Sequence, residues 1–186
     1  MLQRFTKTFA RWLCVPVFFL PGFPAYAAGL QEAEDFSKLG RQAAEQGVVI
    51  LLSVTQEHCG YCRKIKEEIL NPMLLNEDYE TKVLIRELSI DPGVSVIDFN
   101  GVDRPAARFA DDYKVWVTPT LLYLGPDGAE LSPRMLGVQT VEMYGYYVDE
   151  SIDQALQRLG EPGRDGYRPT DRDIGAYPAG WEDLLH

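Results

Sequence analysis

Two cysteines three positions apart, in the run Cys59-Gly60-Tyr61-Cys62, are the side chains of this chain best suited to covalent chemistry. A thiolate is both a nucleophile and a soft metal ligand. A C-x-x-C therefore admits two chemistries, a redox pair that opens and closes a disulfide or half of a zinc-type site. Zinc would need two further ligands. Of the two histidines, His58 adjoins Cys59 too closely to bind comfortably alongside both cysteines, and His186 lies in the C-terminal stretch. Cysteines this close in sequence cannot staple distant loops, so a disulfide scaffold is excluded.

The flanking elements must decide how such a pair is presented. Residues 48–54 form a continuous apolar, β-branched run broken only by Ser53, the pattern of a strand covered on both faces and set in the middle of a sheet. After the pair, residues 63–70 contain good helix formers with Ile65 and Ile69 four apart, and Pro72 is expected to end that helix. A cysteine at a helix N-terminus meets unpaired N–H groups and the positive end of the helix dipole, which stabilise its thiolate. Cys59 is thus predicted to attack and Cys62, one turn along, to resolve. His58, when protonated, would lower the Cys59 pKa further, and Arg63 and Lys64 add positive charge nearby. This strand-motif-helix context favours the redox pair over the metal site.

Further elements surround this unit. Apolar residues at helical spacing predict an amphipathic helix over 30–46, stopped by Gly47. A second strand is predicted over 82–90. Turn signals at Asp91-Pro92-Gly93 and Asn100-Gly101 mark 91–104 as an insertion or short hairpin, and 105–113 as a short helix opened by Pro105. Strands over 120–124 and 129–136 flank the turn Gly125-Pro126-Asp127-Gly128, and a long helix covers 140–159 up to Gly160. Tyr144, Tyr146 and Tyr147 in that helix read as core packing, and Glu67-Glu68 as the solvated face of the active-site helix. Residues 161–186, rich in Pro, Gly and charge without a sustained period, read as a C-terminal tail.

The length of 186 residues suits one domain of ordinary size, and the hydrophobic fraction of 46% is that of a packed globular chain. Arg4, Lys7 and Arg11, the apolar run 12–20 and Ala25-Tyr26-Ala27 have the form of a signal peptide cleaved near Ala27. That run is about half the roughly 20 residues needed to span a bilayer. Cys14 lies inside it and is expected to leave with it. Residues 1–27 carry three basic and no acidic residues, so cleavage takes the formal charge from −10 to −13. A chain so acidic lacks the basic face that nucleic-acid binding requires.

Taken together, Cys59-Gly60-Tyr61-Cys62, Thr118-Pro119-Thr120 opening a strand, Asp127-Gly128 in the next hairpin and Gly137 after it resemble the thioredoxin superfamily over about residues 30–159. Within it, Val96-Ile97-Asp98-Phe99-Asn100-Gly101 before the short helix resembles the insertion of SoxW-type periplasmic thioredoxins. Cys-Gly-Tyr-Cys with Thr before the proline is also similar to the active site of the disulfide isomerase DsbC. The resemblance implies an α/β thioredoxin-like fold, a central mixed sheet flanked by helices. It implies a periplasmic thiol–disulfide oxidoreductase of reductase or isomerase type without a cofactor or bound metal. It implies catalysis by Cys59 and Cys62, supported by His58, Gly60, Tyr61, Thr118 and Pro119, with a cis Thr118-Pro119 bond packed against the pair. The expected organisation is a signal peptide over 1–27, the domain over 28–160 and a flexible tail over 161–186. Its expected partners are protein disulfides and a membrane-embedded thiol electron donor, with the protein itself a monomer. Two departures from the superfamily pattern stand out: Ser53 replaces the usual buried aspartate, and His58 the usual tryptophan before the first cysteine. The proton acceptor for the resolving cysteine is then missing, or replaced by a group such as Glu57 or a water. Competing readings are a soft-metal module or metallochaperone using Cys59, Cys62 and His58, and an adaptor that binds partners at the Pro119 surface.

Overall fold

The computed structural model describes residues 29–138 and 140–161, so the expected signal segment, Cys14 and residues 162–186 lie outside the described residues. Five strands form one sheet in the order β1-β3-β2-β6-β7, comprising β1 (Gln31–Glu32), β2 (Val49–Thr55), β3 (Val83–Ser89), β6 (Thr120–Leu124) and β7 (Met135–Leu136). β2 is central, with every residue buried as its apolar run predicts. It runs parallel to β3 and antiparallel to β6, so the sheet is mixed. β4 (Ser95–Ile97) and β5 (Asp103–Pro105) pair as a separate antiparallel hairpin within the predicted insertion.

Strand alternation divides the core. Ile50, Leu52 and Val54 of β2 join Leu122 and Leu124 under helices α1 (Phe36–Gln46) and α4 (Ala106–Asp112). On the other face, Val49 and Leu51 join Val83, Ile85, Leu121 and Tyr123 under α2 (Gly60–Ile65), α3 (Asn71–Leu74) and α5 (Val141–Leu159). Each fully buried aliphatic side chain contributes about 1.5–3 kcal/mol, so β2, buried on both sides, anchors both half-cores. Ser53 and Glu87, at odd positions of β2 and β3, therefore face the α2 side, and they are register partners.

The structure corrects several sequence expectations. The helix predicted over 30–46 begins only at Phe36, because the Asp35 carboxylate caps it by accepting the Lys38 N–H at 2.9 Å. Gln31 and Glu32 instead add a short parallel edge to β3. Pro72 does not end the active-site helix. A π-helical turn, Lys66–Leu70, follows α2, and Pro72 then sits in the first turn of α3, where its missing N–H is not needed. The strand predicted over 129–136 is reduced to an isolated bridge at Glu130 and the pair Met135–Leu136. Pro133 has no N–H to give the ladder, and Arg134 is buried in an ion pair with Glu130. Of the tyrosines read as core, Tyr144 is buried with Val148, Ile152 and Ala155, whereas Tyr146 falls on the opposite side of α5 and Tyr147 on the flank of the buried stripe, and both are exposed.

Candidate active site

Because Val54 pairs with Thr120 and Thr55 with Ser89, three loops leave the sheet at one end: 56–59 after β2, the segment after β3, and 117–119 before β6. The topology thus brings together two motifs far apart in sequence. They are tied directly, the Thr118 hydroxyl donating to Gln56 Oε1 at 3.1 Å. From the loop after β3, the Asp91 carboxylate accepts the Glu57 N–H at 2.8 Å and the Ser89 hydroxyl at 2.6 Å, pinning the approach to the cysteines. The Thr118–Pro119 bond is cis, as the resemblance implies, and Pro119 is buried. Its carbonyl accepts the Gly137 N–H at 2.8 Å, joining β7 to the site.

Cys59 occupies the N-cap of α2 in extended conformation, and its Sγ accepts the Cys62 N–H at 3.1 Å. One of the N–H groups that a helix start leaves unpaired is therefore aimed at this sulfur, which is the interaction that favours negative charge there. The two cysteines are joined as a disulfide with Cα atoms 5.2 Å apart. Cys59 is partly exposed whereas Cys62 is 4% exposed, so an incoming sulfur meets Cys59 first. A Cβ at Gly60 would meet nothing within 4 Å, and Tyr61 between the cysteines is exposed.

Charges near the pair are arranged differently from expectation. The His58 side chain is 91% exposed, with Nδ1 3.9 Å from the Glu57 carboxylate. Lys64 reaches Glu68 at 3.9 Å, also in solvent. Glu57, the sequence-based substitute for a buried acceptor, is 79% exposed and does not fill that role. The buried carboxylate on this face is Glu87 of β3, paired with the ammonium of Lys66 at the start of the π turn. Among the described residues no three His, Cys, Asp or Glu side chains gather as a metal site would require.

A cysteine pair closed as a disulfide, a helix starting at its outer sulfur and a cis-proline loop alongside can carry thiol–disulfide exchange. The thioredoxin-like domain family matches residues 29–157. The chain belongs to that family. As a thioredoxin-like domain with a C-x-x-C pair at disulfide distance, it is a thiol–disulfide oxidoreductase. No curated protein matches its sequence. Among solved structures it is similar to the periplasmic thioredoxin SoxS from Paracoccus pantotrophus in reduced form. Identity is 21%, with 57% of this chain and 98% of that chain covered and a TM-score of 0.38. It is similar to thioredoxin f from spinach chloroplast at 14% identity, covering 69% of this chain and 94% of that one, with a TM-score of 0.46. The Trichomonas vaginalis thioredoxin is 17% identical, with 68% and 96% covered and a TM-score of 0.44.

Four residues of this thioredoxin-like site were not legible as such from sequence. Gln56 and Asp91 hold its loops, and Lys66 and Glu87 form the pair beneath α2. Trp116, 40% exposed just before Thr118, adds an aromatic surface to the loop that opens β6. Spacing alone carries no signal for the first four, whose roles arise from contacts between separate elements. Trp116 was within reach, since a large aromatic two residues before a Thr-Pro loop is a candidate contact surface.

Proposed function

We propose that this protein is exported to the periplasm and exchanges disulfides with protein substrates through Cys59 and Cys62, acting as a reductase or isomerase. Residues 1–27 would be its cleaved signal peptide, 28–160 the working domain and 161–186 a tail. Thiolate Cys59 attacks a substrate disulfide, one substrate sulfur leaves as a thiolate, and a mixed disulfide remains. Cys62 then attacks Cys59 Sγ, releasing the second substrate thiolate and closing the Cys59–Cys62 bond. His58, Gly60, Tyr61, Thr118 and Pro119 shape the surface on which the substrate lies. Net reduction consumes the protein's dithiol, so a membrane-embedded thiol donor restores it, and a monomer suffices for each step.

The observation that carries this reading is the asymmetry of the pair: a part-exposed Cys59 at a helix start, receiving the N–H of a buried Cys62. Cys62→Ser should trap substrates as mixed disulfides through Cys59, whereas Cys59→Ser should trap almost none. Non-reducing gels of each variant after exposure to periplasmic proteins check this, and equal trapping by both would overturn the assignment. Equilibrium of the pair against glutathione separates reductase from oxidant, across a superfamily range of about −270 to −120 mV.

A further inference from the structure

A cavity of about 430 Å³ lies between the edge of the sheet and α5, within the size range of sites that hold ligands. One wall is residues 133–137, which contain β7, the last strand in the sheet order. The other is a stripe of Thr140, Tyr144, Tyr147, Ser151 and Gln154, whose steps of three and four put them on one side of α5. Helical rise makes that wall about 20 Å long. The walls run antiparallel, the Ser132 hydroxyl donating to the Ser151 carbonyl at 2.9 Å at one end. At the other end the Gly137 N–H donates to the Pro119 carbonyl at 2.8 Å. The groove therefore begins beside the cis-proline loop and leads away from it along α5.

Two independent features of these walls call for hydrogen-bonding partners. Tyr144 is 3% exposed, and its hydroxyl has no hydrogen-bond partner among the described residues. Burial pushes its phenol pKa up, so the group stays a neutral donor. A buried donor without an acceptor is costly, and native structures seldom keep one without a reason. The second feature is the edge of β7. Leu136 stands opposite Thr120, and the bond from Gly137 to Pro119 closes just outside that pair. In an antiparallel ladder this makes Thr120 and Leu136 a non-hydrogen-bonded pair. The N–H and C=O of Leu136 therefore point away from β6, where the sheet ends among the described strands.

Together the walls ask for an acceptor at Tyr144 and for an acceptor and a donor side by side at Leu136. The main chain of an extended polypeptide carries that set, and about six extended residues span the length of the groove. A small anion does not match it. Arg134, the basic residue of the walls, is already bound by the Glu130 carboxylate and the Tyr113 carbonyl. The exposed ring of Tyr147 gives the side chains of such a segment an apolar face.

We propose that the substrates of this protein are polypeptides extended beside their cysteine, and that the flanking segment lies in this groove as a strand added to β7, pairing with Leu136 and accepting from Tyr144. The inference rests on the reading of Cys59 as the attacking sulfur beside the cis-proline loop. Leu136 and Tyr144 touch no reacting atom, and they hold the segment while exchange proceeds at Cys59. A cysteine inside a folded domain is a poor substrate on this view, because the backbone groups around it are already paired.

Two kinds of probe test this, each a cysteine joined by a disulfide to the same aryl thiol, whose release absorbs light. The short probe is a capped cysteine, and the long probes add eight unstructured residues on one side or the other. Three added hydrogen bonds, each worth a factor of about two to ten, predict that the reduced protein reacts with one long probe at least about tenfold faster than with the short one. Tyr144→Phe should lower that ratio by about two- to tenfold and at the same time raise the urea midpoint of the free protein, since the hydroxyl removed had no partner. A merely structural hydroxyl predicts the reverse, a lower midpoint with an unchanged ratio. N-methylation of the arm, one residue at a time, should cancel much of the advantage at the position that donates to Leu136. That scan uses the wild-type protein, so it carries the test should Tyr144→Phe fold poorly. Equal rates for short and long probes would overturn the proposal, as would an advantage that survives methylation at every position. If the ratio stays at one and sedimentation of the reduced protein shows dimers, a second copy covers the edge of β7 and the proposal fails likewise. Loss of the proposed function itself reads differently: no probe would release its thiol, or release would survive Cys59→Ser.

Discussion

At the scale of single residues, the site separates an exposed sulfur from a buried one by placing them one helical turn apart. The helix start reaches Cys59 directly. Its Sγ receives the Cys62 N–H directly, whereas His58 stands in solvent beside Glu57, where a charge interaction is worth about 0.2–1 kcal/mol. The Cys59 thiol of the reduced protein should accordingly titrate below the roughly 8.5 of a free cysteine, and His58→Ala should raise it by less than about one pKa unit. Thiolate absorbance against pH measures both. A shift larger than this would mean that the imidazole reaches Cys59 in the reduced state.

At the scale of elements, α1 shows how one side chain defines a boundary. Asp35 accepts from the Ser37 hydroxyl at 2.7 Å and the Lys38 N–H at 2.9 Å, with the Lys38 ammonium 3.0 Å away. These bonds, the hydroxyl first, hold its carboxyl well below the usual carboxylate range. A lowered folded value means that the stabilisation is complete above the ordinary value near 3.8 and is lost as pH falls below it toward the folded value. Asp35→Asn should therefore unfold at lower denaturant than wild type at pH 6, with the difference narrowing steadily below about pH 4. Urea midpoints at several pH values give the test, and a gap that widened on acidification would contradict the capping role.

At the scale of the whole molecule, the insertion is part of the core and not an appendage. Phe99 packs against Phe36 at 5.3 Å and Phe109 at 6.2 Å between ring centroids, joining α1 and α4 through the hairpin of β4 and β5. The turn after β6 closes over the same ring. Gly128 has φ +82°, and a Cβ there would lie 2.6 Å from Phe99 Cδ2. The Tyr113 hydroxyl bonds the Gly128 carbonyl at 2.8 Å, fastening the end of α4 to this turn. Phe99→Ala should cost somewhat less than the roughly 3–5 kcal/mol of a fully buried Phe→Ala, since the ring is only partly buried. Gly128→Ala should destabilise through both its left-handed backbone and the clash. In the double variant the clash disappears, so the combined loss should fall below the sum of the singles by about 0.5 kcal/mol or more. Simple additivity in urea unfolding would show that the turn and the ring are independent.

What was legible in the sequence is what short-range physics determines. The apolar run of β2, the C-x-x-C before a helix, the turn at 125–128 and the period of α5 each declare themselves within a window of a few turns or strand residues, because burial imposes the spacing locally. Cys59 and Cys62 were nameable for that reason. The tertiary structure alone decided which groups meet across elements. Glu87 lies 21 residues from Lys66, and it sits under α2 only because the register of β3 on β2 turns odd positions to that face. Gln56 meets Thr118 across 62 residues only because β2 and β6 run antiparallel with Val54 opposite Thr120. Pro72 continues a helix only because the preceding π turn shifts the backbone pairing, and Tyr146 faces water only because Tyr144 and Val148 already fill the buried side. Register, crossing direction and the choice of buried face are long-range outcomes of packing, and no window of neighbouring residues contains them.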